Sequence, residues 1–521
     1  MELGAKGSSW AISTPHTAAT VAGAAAFERG GNALDAALHA AVTLTVAYPH
    51  MCGVGGDLFA LIQRPDGEVL ALNSSGRSPR DADPAGIHAA EMPVRGPMPI
   101  TVPGAVAGWH ELHMNGALLP WTDAFATATS LAFDGLEVSR SLADILADPD
   151  APHAGDPGLG PIFYPHGIPA PAGARVVQSA LGATLEALAH GGPDVLYAGE
   201  VGRAYVAGLR ERGCPITIED LSAHRPAVLA PLRAPFRELH VSVVPPNSQG
   251  FTLLEILALV ERLGVDADPH GPDAGMFARV VAAAARDRDR HLADPDAMVL
   301  HPSTLLDDGH LAGIADEIRG AAPPVTSRGM PRGDTVALVA ADAAGWAVSL
   351  IQSVFWDFGS GIDEPATGIV AQNRGACFTL EPGHPNAFAP GKLPAHTLMP
   401  ALLHDEHGLA LVAGTMGGYG QPQINAQTIA HAVVRGRSAA EAVAAPRWRV
   451  ERPEPEDAGA RALVETGVPS VARDALAAAG FTTEPVAPRR EELGHAHLIR
   501  VGPGGFEVGS DPRADGGALA G

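Results

Sequence analysis

The sequence predicts an α+β fold: two stacked sheets with helices outside them and a mainly helical lobe. Two pairs of alternating apolar runs, and the helical text around them, carry that expectation. The first pair, FALIQ and VLALN, brackets the turn RPDGE and reads as a hairpin over 59–73. The second pair, TVALVAAD and AVSLIQSV, is joined at AAGW over 335–354. Strands from two such distant parts of one chain suit sheets that pack face to face.

In chain order, MELGAKGSSWAISTPHTAAT has no basic region followed by an apolar segment, so no secretory signal is expected. Gly30 to His50 reads as a turn and a helix, with Asn32 as N-cap and Pro49 closing it. The GVGGD that follows is too short and wrongly placed for a dinucleotide loop. From about Asp83 to Arg332, segments such as SALGATLEALAHGG and GFTLLEILALVERLG have helical spacing and end in glycine. Ala321 to Asp334 is rich in Pro, Gly and Arg, without apolar period, and reads as exposed and mobile.

The chain has 521 residues and no low-complexity linker, which fits one large two-lobed globule as well as separate domains. Thirty-five Lys and Arg against 58 Asp and Glu give a net charge of -23, which disfavours nucleic acid and anionic membranes as partners. The longest apolar runs, such as Ala36 to Ala47, are too short to span a bilayer. Cys52, Cys214 and Cys377 are scattered and odd in number, indicating neither a disulfide framework nor a thiolate zinc site; a reducing cytoplasm fits them best.

Thr335 heads a strand directly after a Gly-Asp pair. A threonine there is ordinarily just a β-branched strand former. Its hydroxyl becomes a useful nucleophile if the bond from Asp334 to Thr335 is cut. The freed α-amino group, with a pKa of about 7.7, then serves as the base.

Taken in order, GGNALDAALHAA, PHMCGVGGDLF, TVPGAVAGW, GDTVALVAADAAGWAVSLIQS, FGSGI, FAPGKLPAHTLMP, GTMGGYGQPQ, AAPRW and GSDPRADGGALAG resemble the signatures of the gamma-glutamyltransferase family across nearly the whole chain. That resemblance implies an N-terminal nucleophile hydrolase with a four-layer αββα core. It implies a precursor that cleaves itself into a large subunit, 1–334, and a small subunit, 335–521, which stay associated; pairing of these heterodimers is left open. It implies acyl transfer or hydrolysis through an acyl-Thr335 intermediate, with no metal or organic cofactor. Ser353 falls where the family has a threonine bonded to the nucleophile, and Gly417 and Gly418 match the glycines of the oxyanion hole.

The departures bear on substrate. Where glutathione-cleaving members hold the glutamyl α-amino and α-carboxylate groups, this chain has Phe355, Arg374, Cys377, His396 and Thr397. A neutral thiol at Cys377 is no partner for an ammonium group, and Arg374 adds a cation. The expected donor is therefore a small amide with a carboxylate and no α-amino group, as in the oxamate amidohydrolase-like and acylase-like branches. Arg77, in SSGRSP, lies near the family's carboxylate-binding arginine, though the local pattern is shifted and shortened.

Three other readings stand beside this one: a true glutathione hydrolase, an uncleaved binding or scaffold homologue, and a thiol hydrolase using Cys52 with His50. HDEH at His404 to His407 lacks the spacing of a zincin helix and reads as a solvated turn between strands.

Overall fold

The computed structural model describes residues 1–149, 151–320, 334–451 and 460–521. The stretch 321–333, whose sequence reads as exposed and mobile, lies outside them, as does the side chain of Asp334.

Fourteen strands make up the two large sheets: β1 (Gly4–Gly7), β2 (Trp10–Thr14), β3 (Asp57–Gln63), β4 (Val69–Ser74), β5 (Ala227–Leu229), β6 (Leu232–Phe236), β7 (Leu239–Val243), β8 (Asp334–Asp342), β9 (Ala347–Phe355), β10 (Ala401–Asp405), β11 (Gly408–Thr415), β12 (Ala496–Gly502), β13 (Gly505–Ser510) and β14 (Gly517–Ala520). One seven-stranded sheet runs β14-β2-β8-β9-β3-β4-β5 and the other β1-β13-β12-β11-β10-β7-β6. Every neighbouring pair in both is antiparallel.

Alternation along β8 builds the layers. Ala337, Val339 and Ala341 point into the space between the sheets, where they meet Leu402, Val412 and Ile499 of the other sheet. Val336, Leu338 and Ala340 point the other way, onto α1 (Thr17–Glu28) and α2 (Ala33–Ala47). The second sheet does the same with Leu403, Leu411 and Leu498, which pack on α3 (Gly250–Leu263), α4 (Ala274–His291), α5 (Asp308–Arg319) and α6 (Gln421–Val433). The result is helix, sheet, sheet, helix.

Asn32 caps α2: its side chain accepts from the N–H groups of Leu34 and Asp35, and Asp35 accepts from the N–H of Asn32. All fifteen residues of α2 are buried, which its run of alanines permits. The helical middle also supplies β5, β6 and β7, which the sequence reading left out; they extend both sheets. Strands from both sides of residue 335 are interleaved in both sheets, and β8 lies between β2 and β9. No helix among the described residues is long and apolar enough to cross a membrane.

Candidate active site

Thr335 is fully buried in the uncut chain, near the start of β8. Pairing with β9 jumps from Asp334 against Phe355 to Val336 against Gln352, so Ser353 and Val354 together face the single residue Thr335. Such a bulge breaks the ladder and re-aims side chains. Here it brings two hydroxyls together: Thr335 Oγ1 donates to Ser353 Oγ at 3.1 Å. The same oxygen accepts from the N–H of Phe355 at 2.7 Å and from Arg374 Nη2 at 3.3 Å. Phe355 holds a left-handed φ of 85°, a costly conformation for an aromatic residue that the surrounding contacts maintain. Gly56, in the GVGGD run, packs where a Cβ would lie 2.4 Å from the Ser353 carbonyl oxygen.

Arg374 starts a short 3-10 turn, Arg374–Cys377, and is wholly buried. Its guanidinium lies 4.2 Å from the centre of the Phe355 ring. Nη1 donates to Thr397 Oγ1 at 2.9 Å and lies 3.8 Å from Cys377 Sγ. Nε has no hydrogen-bond acceptor, and among the described residues Arg374 forms no ion pair. A buried guanidinium surrounded by hydroxyls, a thiol and a ring is a place for an anion. Burial pushes the Cys377 thiol up, which keeps it neutral beside Arg374.

From Thr397 the chain of contacts reaches the glycine loop. Gln249 Nε2 donates to the carbonyls of Thr397, at 2.7 Å, and Gly418, at 3.0 Å. Arg288 Nη1 donates to Gln249 Oε1 and to the Tyr419 carbonyl, both at 3.1 Å, and its guanidinium lies against the Tyr419 ring. Gly417 and Gly418 connect β11 to α6 with φ of 139° and 54°, which glycine alone adopts at little cost. Among the described residues, neither of their N–H groups has an acceptor, so two backbone donors are available at the loop.

Asp57 and His396 form a buried pair behind Arg374. The N–H of Leu398 donates to His396 Nδ1, so the ring proton is on Nε2, which donates to Asp57 Oδ2 at 3.0 Å. Asp57 Oδ1 accepts from the N–H of Gly76 and from Gln372 Nε2. Burial pushes the Asp57 carboxyl up to about 7, against the pull of Arg374 and these donors. Burial, with Arg374 as a further cause, holds His396 well below 6.5 and neutral.

The structure thus brings Thr335, Ser353, Phe355, Arg374, Cys377 and Thr397 together, with His396 one shell behind and Gly418 linked through Gln249. Arg77 stands outside this group. It is half-exposed and paired with Asp294 at 2.9 Å, in a separate cavity of about 330 Å³ that also has Arg80 and Arg225. Only its neighbour Gly76 touches the cluster, through Asp57. Cys52 is buried with its thiol pushed up to about 12, and His50 bonds Ser141, so the two form no nucleophile and base pair. In HDEH, His404 bonds Gln63 while Glu406 and His407 are exposed. Sequence reasoning passed over Asp57, Gln249 and Arg288. The only available signal was at Asp57, an ionisable residue after paired glycines at a strand start.

The family model for Gamma-glutamyltranspeptidase matches residues 19–521. The chain is 37% identical to the oxamate amidohydrolase proenzyme of Klebsiella pneumoniae, over 97% of each chain. It is 34% identical to the glutathione hydrolase-like YwrD proenzyme of Bacillus subtilis, over 98% of each. Among solved structures, cephalosporin acylase from Bacillus halodurans superposes with a TM-score of 0.91 at 30% identity, covering 100% of this chain and 97% of that one.

Proposed function

Because the chain belongs to the gamma-glutamyltranspeptidase family, whose relatives are named amidohydrolases, acylases and glutathione hydrolases, we propose that it cleaves itself between Asp334 and Thr335 and then hydrolyses small amides whose acyl part carries a carboxylate and no α-amino group. The observation that carries this reading is Arg374, buried, without a carboxylate partner, and one hydroxyl away from the nucleophile.

The geometry supports the following steps. Cutting the bond turns the Thr335 amide into an amine, and Thr335 Oγ1 attacks the carbonyl of the amide donor. The amine takes the hydroxyl proton and hands it to the departing nitrogen. Negative charge on the former carbonyl oxygen is met by the N–H groups of Gly417 and Gly418. Ser353 holds Thr335 Oγ1 in place. The donor carboxylate lies on Arg374, in the position now lined by Thr397 and Cys377. Water then attacks the acyl-Thr335 ester; the amine takes the water's proton and returns it to Thr335 Oγ1 as the ester bond breaks and the acid leaves.

An ammonium group on the donor would meet Arg374 and the neutral Cys377 rather than a carboxylate. The two pieces are expected to remain together after the cut, since β8 keeps β2 of the larger piece as a neighbour. The test is a side-by-side assay of matured protein on oxamate, a glutaryl amide and γ-glutamyl-p-nitroanilide. Turnover of one of the first two, at least about 10-fold above the third in kcat/KM, is expected from the contribution of a charge-assisted hydrogen bond. Preference for the γ-glutamyl compound would overturn the reading in favour of a glutathione hydrolase.

A further inference from the structure

Outside the group around Thr335, among α3, α4 and α5, one cluster has no role in the chemistry above. Glu255 of α3 is fully buried, and neither of its carboxylate oxygens has a hydrogen-bond donor. Asp287 of α4 lies beside it, buried. His310 of α5 places Nε2 2.9 Å from Asp287 Oδ2 and 4.0 Å from Glu255 Oε1. One ligand atom from each of the three lies within 4.8 Å of the others. His291, one turn on from Asp287, approaches the second Asp287 oxygen at 3.5 Å.

We propose that Glu255, Asp287 and His310 form a binding site for one divalent first-row transition-metal ion, of which Zn²⁺ is the probe. Ligand atoms about 2.0–2.2 Å from such an ion sit roughly 3–4 Å apart, and the two distances from His310 Nε2, 2.9 Å to Asp287 and 4.0 Å to Glu255, bracket that spacing. One imidazole and two carboxylates suit Zn²⁺ and its neighbours, whereas Ca²⁺ asks for six or more oxygens and Mg²⁺ keeps most of its water. A cavity of about 270 Å³, lined by Asp287, His291 and His310, gives an ion a way in and leaves space for water in the remaining coordination positions. Two arginines also line this cavity: Arg286, which pairs with Glu317, and Arg290.

The competing arrangement is a proton shared between the Glu255 and Asp287 carboxyls, with His310 on the outer oxygen. Both satisfy Glu255, and they differ in what an added ion does. A bound ion would tie α3, α4 and α5 at one point. Asp287 precedes Arg288, which supports Gln249 and the Tyr419 carbonyl, so the tie lies behind the glycine loop without touching substrate. The three ligands sit on three helices, 32 and 23 positions apart in the sequence, so no sequence motif marks them.

The test uses the full chain, stripped with chelator and titrated calorimetrically with ZnCl₂, with MgCl₂ in parallel. About one Zn²⁺ per chain, a rise of about 3 °C in the unfolding midpoint at saturating ion, and no comparable rise with Mg²⁺ are expected. Replacement by Co²⁺ should give visible absorption of a low-coordinate site. His310→Ala, at a part-exposed position that should fold, is expected to weaken Zn²⁺ binding about 100-fold, and Glu255→Gln to do the same. Absence of stoichiometric Zn²⁺ binding, or binding that survives in His310→Ala, would overturn the site and leave the shared proton.

Discussion

The candidate site has two sides in the sense that it is built from two kinds of material. On one side are backbone features: the bulge at Thr335, the close approach of Gly56 to Ser353, and the amides of Gly417 and Gly418. On the other are side chains: Arg374 laid on Phe355 and bonded to Thr397 beside Cys377. Backbone geometry is set by the strands and cannot be altered without disturbing the sheets, so it suits the part of a reaction common to a family. Side chains on a short turn can be exchanged while the sheets stay as they are. Under the proposed roles the comparison teaches that chemistry and specificity are separable, and it can be attacked from either side.

The largest effect is expected at Thr335, the proposed nucleophile. Thr335→Ala should leave a single uncut band on a denaturing gel and lower turnover by about 10⁴-fold or more. Two bands with activity intact would remove the backbone side altogether. Gly417→Ala should come next, since its φ of 139° and the amide at that loop both suffer. A loss of about 10²- to 10³-fold in kcat with KM little changed is expected, and a change confined to KM would contradict the oxyanion assignment. On the other side, Arg374→Gln should raise KM for a carboxylate-bearing amide by about 10- to 100-fold, the value of a charged hydrogen bond. Self-cleavage should still occur, and unchanged kinetics would take Arg374 out of recognition.

A pH profile separates the sides without mutation. The freed amine must be unprotonated to act, so kcat/KM should fall about tenfold per unit as pH drops below about 7.7. On the donor side Asp57, held up at about 7 behind Arg374, loses its charge in this range, so KM for a carboxylate-bearing donor should fall as pH drops through 7; a KM that rises as the rate falls would couple the two sides. The smallest effect on rate, shared by both, is one of stability. Burial lowers His50 and His497 to about 3 and His224 to about 4 from 6.5. The unfolded chain thus binds protons that the folded one refuses. Stability present above pH 6.5 should be lost as pH falls toward 4, at about 1.4 kcal/mol per unit for each such histidine. Thermal unfolding midpoints measured between pH 7 and 4.5 would check this, and a flat series would contradict it.

Much of the frame could be read directly. The cap at Asn32, the hairpin of β3 and β4 and the pair β8 and β9 follow from local rules, since each is specified by neighbours in the chain. β5, β6 and β7 could not be read so. β6 contains Pro235, which is tolerated because β6 is at the edge of its sheet, a fact of assembly rather than of spelling. For the candidate site, the motifs point to Thr335, Ser353 and the glycine pair, and the departures from them point to Arg374. Asp57, Gln249 and Arg288 were not, because an ionisable or amide side chain becomes part of a site only through burial and partners. Arg288 illustrates this within ARDRDRH: among its neighbouring arginines, it is the one that faces inward to Gln249 and Tyr419.

By itself the sequence determined which segments alternate as strands, where a helix begins, and which residue carries a hydroxyl able to become a nucleophile with its own amine. These depend on spacing and on chemistry within one residue. Only the tertiary structure decided that Arg374 is buried with no ion-pair partner among the described residues, that Gln249 joins Thr397 to Gly418, and that Glu255, Asp287 and His310 meet. Those facts arise from side chains far apart in the chain being excluded from water together, and the energy of a charge depends on that exclusion far more than on its neighbours in sequence.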